Sequence, residues 1–171
     1  SKIPTGSVVN WYSTSASIVG SGSGNIASFT GINTGSTAII DTIYYSASHL
    51  GCTGDTSLFT ITINPVPVIT PTADFTVCHG DSIVIPAFSS VPNSTITWTN
   101  NNTQIGLSTS GTGNIASYVA TNTSGTTQTA QLIVSGSTFG CIGVQDTFSI
   151  TIKPQPLVLS SHSNTTVCSG Q

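Results

Sequence analysis

Phe59-Thr-Ile-Thr-Ile63 alternates apolar and polar residues at every step, and Phe148-Ser-Ile-Thr-Ile152 does the same further along the chain. A period of two marks a strand with one face buried and one in water. Ser82-Ile-Val-Ile-Pro86, Thr95-Ile-Thr-Trp-Thr99, Ile115-Ala-Ser-Tyr-Val119 and Ala130-Gln-Leu-Ile-Val134 predict four more strands. Gly-, Pro-, Asn- and Asp-rich clusters at 71–74, 79–81, 100–102, 122–125 and 136–140 separate them as turns. No stretch carries the apolar stripe of a helix. The expected fold class is all-β.

The two alternating runs belong to a longer self-similarity. Ser-Gly-Ser-Gly-Asn-Ile-Ala-Ser-Phe, from Ser21 to Phe29, returns as Ser-Gly-Thr-Gly-Asn-Ile-Ala-Ser-Tyr, from Ser110 to Tyr118. Gly24 matches Gly113, Cys52 matches Cys141, and the run from Phe59 to Pro65 matches that from Phe148 to Pro154, each 89 positions on. Trp11 matches Trp98 at 87, and Val77-Cys78-His79-Gly80 matches Val167-Cys168-Ser169-Gly170 at 90. A period of this size exceeds the roughly 20–50 residues of solenoid repeats and suits a β-sandwich of about 100 residues. About seven short strands per period reads as an immunoglobulin-like sandwich. The boundaries expected are 1–67 for a first repeat, 68–156 for a complete second one and 157–171 for the start of a third. The first repeat lacks its first two strands. Open sheet edges are costly, so flanking chain or a neighbouring subunit is expected to supply them.

Composition narrows the function. The chain holds two Lys, no Arg, five Asp and no Glu, for a net charge of −3, and charged residues make up 4% of it. Typical domains are about a quarter charged. So few cations cannot neutralise a row of phosphates, which excludes nucleic-acid binding; no basic amphipathic stretch suits an anionic membrane surface. No apolar run reaches the ~18 residues of a membrane span, so no membrane insertion of this segment is expected. About a third of the residues are Ser or Thr. With four cysteines and no methionine, the expectation is a processed or internal piece of an extracellular, cell-surface protein.

The repeats also resemble a known family. Trp98, Ile105-Gly-Leu, Ser110-Gly-Thr-Gly-Asn-Ile115, Tyr118-Val-Ala-Thr-Asn122, Gly140-Cys-Ile-Gly143, the run from Phe148 to Pro156 and Val167-Cys-Ser-Gly170 together resemble the PKD-like domains of Bacteroidota surface proteins. The resemblance spans essentially the whole chain. It implies immunoglobulin-like sandwiches in tandem, within large secreted adhesins exported by the type IX route and linked to gliding or surface attachment. The first repeat departs from it at 13–17, where the second has its Asn-rich turn and Ile-Gly-Leu. Asp41-Thr42-Ile43 and Asp81-Ser82-Ile83 resemble an O-glycosylation signal of the same bacteria, making Thr42 and Ser82 candidate modification sites.

Candidate chemistry is sparse. Gly22-Ser-Gly-Asn-Ile-Ala27 fits G-x-G-x-x-A, but a phosphate loop must open a helix, and here an alternating strand-like run follows. We read it as a tight turn with glycines at positive φ, feeding a strand. The histidines do not align between repeats: His49 matches Thr138, His79 matches Ser169 and His162 falls near Thr72. Asp74 and Asp81, near one turn, are the best candidates for a calcium site, yet no metal, cofactor or catalytic residue is expected. Trp11 and Trp98 occupy equivalent positions and are expected in the core between the sheets. The alternative, a sugar-stacking platform, would enlist Tyr12, Tyr44 and Tyr45, which the second repeat replaces with Thr99, Ile133 and Val134.

Without a C-x-x-C pair, disulfides are preferred to metal ligation. The simplest scheme pairs Cys78 with Cys141 and leaves Cys52 and Cys168 to partners beyond these residues; the rival pairs Cys52 with Cys78 and Cys141 with Cys168. Pro65-Val-Pro67 and Pro154-Gln-Pro156 read as stiff connectors. The functional expectation is a non-enzymatic structural or adhesive segment, a stalk or filament whose repeats contact one another head to tail, with surface polysaccharide as a candidate partner. A carbohydrate-binding module and a spacer within a secreted hydrolase are the alternatives.

Overall fold

A computed structural model describes residues 4–15 and 20–157. Its regular structure is almost entirely β. In the first half lie β1 (Val8–Ser13), β2 (Ser21–Ser23), β3 (Ile39–His49), β4 (Cys52–Thr53) and β5 (Ser57–Ile63). In the second half follow β6 (Val68–Ile69), β7 (Phe75–Cys78), β8 (Ser82–Ile83), β9 (Ser90–Val91), β10 (Thr95–Asn100), β11 (Ser110–Thr112), β12 (Tyr118–Val119), β13 (Gln128–Thr138), β14 (Cys141–Ile142) and β15 (Asp146–Lys153). One 3₁₀ turn, Thr103–Ile105, follows β10.

The first half is one sheet in the order β2-β1-β3-β4, with β5 also paired to β3. The main sheet of the second half runs β11-β10-β13-β15-β7, with β14 on β13; β12 pairs with β8, and β6 with β9, in two small ladders. The five strands of the first sheet therefore correspond to β10, β11, β13, β14 and β15. Individual bonds repeat as well. Gly24 N–H donates to the Val9 carbonyl at 2.8 Å, as Gly113 does to Ile96 at 2.9 Å. Asn33 Nδ2 donates to the carbonyls of Thr37 and Ile63, and Asn122 Nδ2 to those of Thr126 and Ile152, all at 2.8 Å.

The core lies in the second half. Along β13, Ala130, Leu132 and Val134 point inward at every second residue, and Phe148, Ile150 and Ile152 do so along β15. Ile83, Ile85 and Ile115 close over them. Full burial of side chains of this size contributes about 1.5–3 kcal/mol each. At the matching positions of the first half, Phe59 is 41% exposed against 1% for Phe148, and Tyr45 is 40% exposed against 0% for Val134. Strands β6 to β9 and β12 have no counterpart among the described residues of that half.

Strand bounds differ from the alternation where backbone partners end. Of 115–119 only Tyr118 and Val119 form a strand, because β8 offers only two residues to pair with. Conversely β13 continues through 136–138, expected as a turn, because β10 and β14 both pair there.

Candidate functional site

The repeated Gly-rich nonapeptide is built around a tryptophan. Trp11 lies opposite Gly22, and Trp98 opposite Gly111, in antiparallel ladders. Both rings are buried, 8% and 6% exposed, and Trp98 packs in the core. A β-carbon on Gly22 would lie 2.6 Å from Trp11 Cζ2, and one on Gly111 2.3 Å from Trp98 Cζ2. The missing side chain is the space the ring fills. Only the second glycine of each motif, Gly24 at φ +78° and Gly113 at +72°, holds the positive φ expected of both. The motif closes a short strand and holds a ring; no helix follows it.

The cysteines correct the first disulfide scheme. Cys52, Cys78 and Cys141 are free thiols. Cys141 sits opposite Thr138, at one end of β13, whereas Cys78 sits beside Lys153, one step past the Ile152 that faces Gln128 at the other end. Roughly ten positions at about 3.3 Å each place the two on the order of 30 Å apart, far beyond the ~7 Å between α-carbons that a disulfide spans. Cys52–Cys78 fails likewise. Cys52 pairs with His49 at the end of β3 away from Ile39 and Ile63, and so away from the junction with the second half. Cys168 and His162 lie outside the described residues, as does the expected third repeat beyond Leu157.

The polar candidates are occupied with holding backbone. Asp74 accepts from Ser149 N–H at 2.7 Å, Asp81 from Cys78 N–H at 2.8 Å, and Asp146 from Thr72 N–H at 2.9 Å. Asp74 and Asp81 thus serve separate turns, and among the described residues no three His, Cys, Asp or Glu side chains converge. His79 is half-buried, and its Nδ1 accepts from Asn122 N–H at 2.9 Å. Ser82 is exposed on β8, and Thr42 is half-buried on β3, where its N–H donates to Thr14 Oγ1. Among the described residues no helix is long and apolar enough to cross a membrane.

Asp41 belongs in sequence only to the candidate modification motif Asp41-Thr42-Ile43. It is fully buried in β3 at the position of Ala130. Ser13 Oγ and Thr14 Oγ1 donate to its carboxylate, the latter at 2.9 Å, together with Ser15 N–H at 3.0 Å. Burial pushes this carboxyl up, but the bonds from Ser13, Thr14 and the backbone at Ser15 and Thr42 outweigh it and hold the pKa below the ordinary carboxylate value. Asn122, which the sequence places in a turn and in the family-like motif, also ties that turn to β15, and Asn33, 89 positions before it, does the same for β5.

Two further features concern the junction between the halves and the edge of the second sheet. Pro65 and Pro67, between β5 and β6, are fully buried. A β-carbon on Gly143 would lie 2.0 Å from the Pro67 carbonyl oxygen, so linker backbone rests directly on the β13–β15 connection. Asn64 Nδ2 also donates to the Phe139 carbonyl at 3.5 Å. The second feature is the pairing of β7 with β15, the one parallel ladder between named strands in the described residues, with Phe75, Thr76, Val77 and Cys78 beside Ile150, Thr151, Ile152 and Lys153. No family model matches the chain, and no curated protein matches it.

Proposed function

We propose that the chain is a non-catalytic structural and adhesive segment of a large secreted cell-surface protein, built from tandem immunoglobulin-like modules of the PKD-like kind. The parallel β7–β15 pair carries this reading. The chain enters the second half beside the β13–β15 connection and leaves it at the far end of β15. Tension on the two ends therefore pulls β7 and β15 in opposite directions along their length. The ladder bonds are loaded together, in shear, rather than one after another. That is the geometry a stalk needs, and the buried proline junction would pass the pull on without a slack tether. The matched hydrogen bonds, whose partners recur 87 or 89 positions on, support a tandem array.

Pulling single molecules by their ends tests this. The second half should release in one high-force step of roughly 30 nm, since about 89 residues extend by ~3.3–3.6 Å each. Gradual extension at low force would overturn it. One observation favours carbohydrate binding as a second reading. Tyr12 and Tyr44 stack at 5.0 Å on the face of the first sheet opposite Trp11, with Tyr12 51% exposed. Saturable glycan binding abolished by Tyr12→Ala would establish it.

A further inference from the structure

The first half carries an open cleft of about 580 Å³, lined among others by Val9, Trp11, Asn25, Ile26, Tyr45 and Phe59. The five other than Asn25 match Ile96, Trp98, Ile115, Val134 and Phe148 of the second half, and all of these are buried in its core. The cleft is therefore the open counterpart of a core, and the second half shows what closes it. There, the segment 68–87 lays β7 along β15 and β8 along β12. Phe75 meets Phe148 edge-on at 6.1 Å, and Ile83 and Ile85 enter the cluster.

In the first half both receiving edges are present without an occupant among the described residues. The counterpart of β15 is β5, whose only strand partner there is β3. The counterpart of β12 is residues 29–30, which form no strand, with Phe29 39% exposed.

We propose that this face docks, by strand addition, a segment of another repeat of the same kind with the sequence pattern of residues 68–87. The proposal rests on the tandem-module reading and names its partner. The register follows from the second half. A first strand would run parallel to β5, its Phe75-type residue beside Ile61 and its Val77-type residue beside Ile63, as Phe75 lies beside Ile150 and Val77 beside Ile152. A second would pair antiparallel with 29–30, placing an Ile83-type residue opposite Phe29, as Ile83 faces Tyr118. Main-chain bonds along an open edge supply affinity and alternate side chains supply specificity. The docked strand would also give the first half the shear-loaded parallel pair that the second half has.

The test adds a synthetic peptide of residues 67–87, with Cys78→Ser, to the 171-residue chain. One-to-one binding is expected, with amide exchange slowed tenfold or more at 57–63 and 29–30. The peptide carrying Phe75→Asp and Val77→Asp should bind at least tenfold more weakly. Absence of binding overturns the proposal, as does equal binding of the Asp peptide. Protection confined to 146–153 overturns it too, since that would be exchange with the native segment of the second half. Pulling the second half tests the stalk reading independently, so the two ideas fail separately.

Discussion

Gly111 and Gly113 stand two positions apart and are glycine for different reasons. Gly111 has ordinary φ but no room, because Trp98 occupies the place of its side chain; Gly113 has room but a φ of +72°. Gly111→Ala should therefore cost about 1–3 kcal/mol by overpacking. Gly113→Ala should cost about 1–2 kcal/mol from the left-handed backbone alone, and Gly113→Asn clearly less. Urea melts of the three variants separate the mechanisms: if Gly111→Ala melts like the parent, ring packing is not what the glycine serves. The indole nitrogens of both tryptophans are buried without an acceptor, so the fold uses the area of the ring rather than its polar end. Asp41 and Asn100 do a similar job from different positions, Asp41 standing where the second half has Ala130 and Asn100 where the first has Ser13. In the second half Asn100 holds the chain after β10 by donating to the carbonyls of Leu107 and Ser108; in the first, a carboxylate at Asp41 holds the chain after β1 through Ser13, Thr14 and Ser15. The folded carboxyl titrates below the unfolded one, at about 3.9. Its contribution is therefore full above that pH and is lost as pH falls through the lower, folded value. Amide exchange in β3 should accelerate relative to β13 on acidification below about pH 4. Asp41→Asn should abolish that difference while loosening β3 at neutral pH; an unchanged acid response would show that other carboxylates govern it.

At the hairpins, the sequence signal and the backbone disagree. Leu50-Gly51 and Phe139-Gly140 both turn with two consecutive positive φ values, 47° and 82° in the first, 49° and 80° in the second. That is the turn Asn-Gly favours, yet Leu50 is 90% exposed and Phe139 73% exposed. Leu50→Asn should stabilise the first half by about 0.5–1 kcal/mol, recovering part of the ~1–2 kcal/mol that an ordinary residue pays in this region. A denaturation midpoint shifted to higher urea checks it; a downward shift would mean the leucine makes contacts that offset the strain. The alternating runs at 59–63 and 148–152 were legible because burial on one face repeats every second residue, and that signal survives even where, as in β5, the face stays partly open. The run at 115–119 misled because alternation reports which face is buried, not whether a neighbouring backbone lies alongside. Cysteine pairing was illegible for a related reason. Spacing says nothing of which end of a strand a residue occupies, and Cys78 and Cys141 turned out to lie at opposite ends of one sheet. The Asn33 and Asn122 pair is legible, since an amide bridging two carbonyls, half-buried at Asn33 and buried at Asn122, is what a repeated Asn within divergent surroundings signals.

Across the whole molecule, what distinguishes a stalk from two tethered beads is the junction. Proline alone limits only φ at two residues; direction is held when the linker is also packed. Here Pro67 lies against Gly143, where a β-carbon would come within 2.0 Å of its carbonyl oxygen. The matching Gly54 faces nothing closer than the Ala47 carbonyl at 3.4 Å. Both glycines make the same backbone bond, Gly54 to Ala47 at 2.8 Å and Gly143 to Gly136 at 2.9 Å, so local hairpin structure is equal at the two sites and only the linker differs. Gly143→Ala should thus push the linker off, at about 1–3 kcal/mol, while Gly54→Ala stays within a few tenths of the parent. Nuclear relaxation of the Val66 amide reads this directly. In the parent and in Gly54→Ala, Val66 should tumble with the amides of β13; in Gly143→Ala it should gain fast local motion while β13 is unchanged. Should Val66 already move independently in the parent, the contact does not hold the junction, and the pull between modules would pass through a loose tether. Should it become mobile only in Gly143→Ala, one missing side chain sets the stiffness of the joint, which explains why a glycine stands at 143 in a hairpin whose φ does not require one.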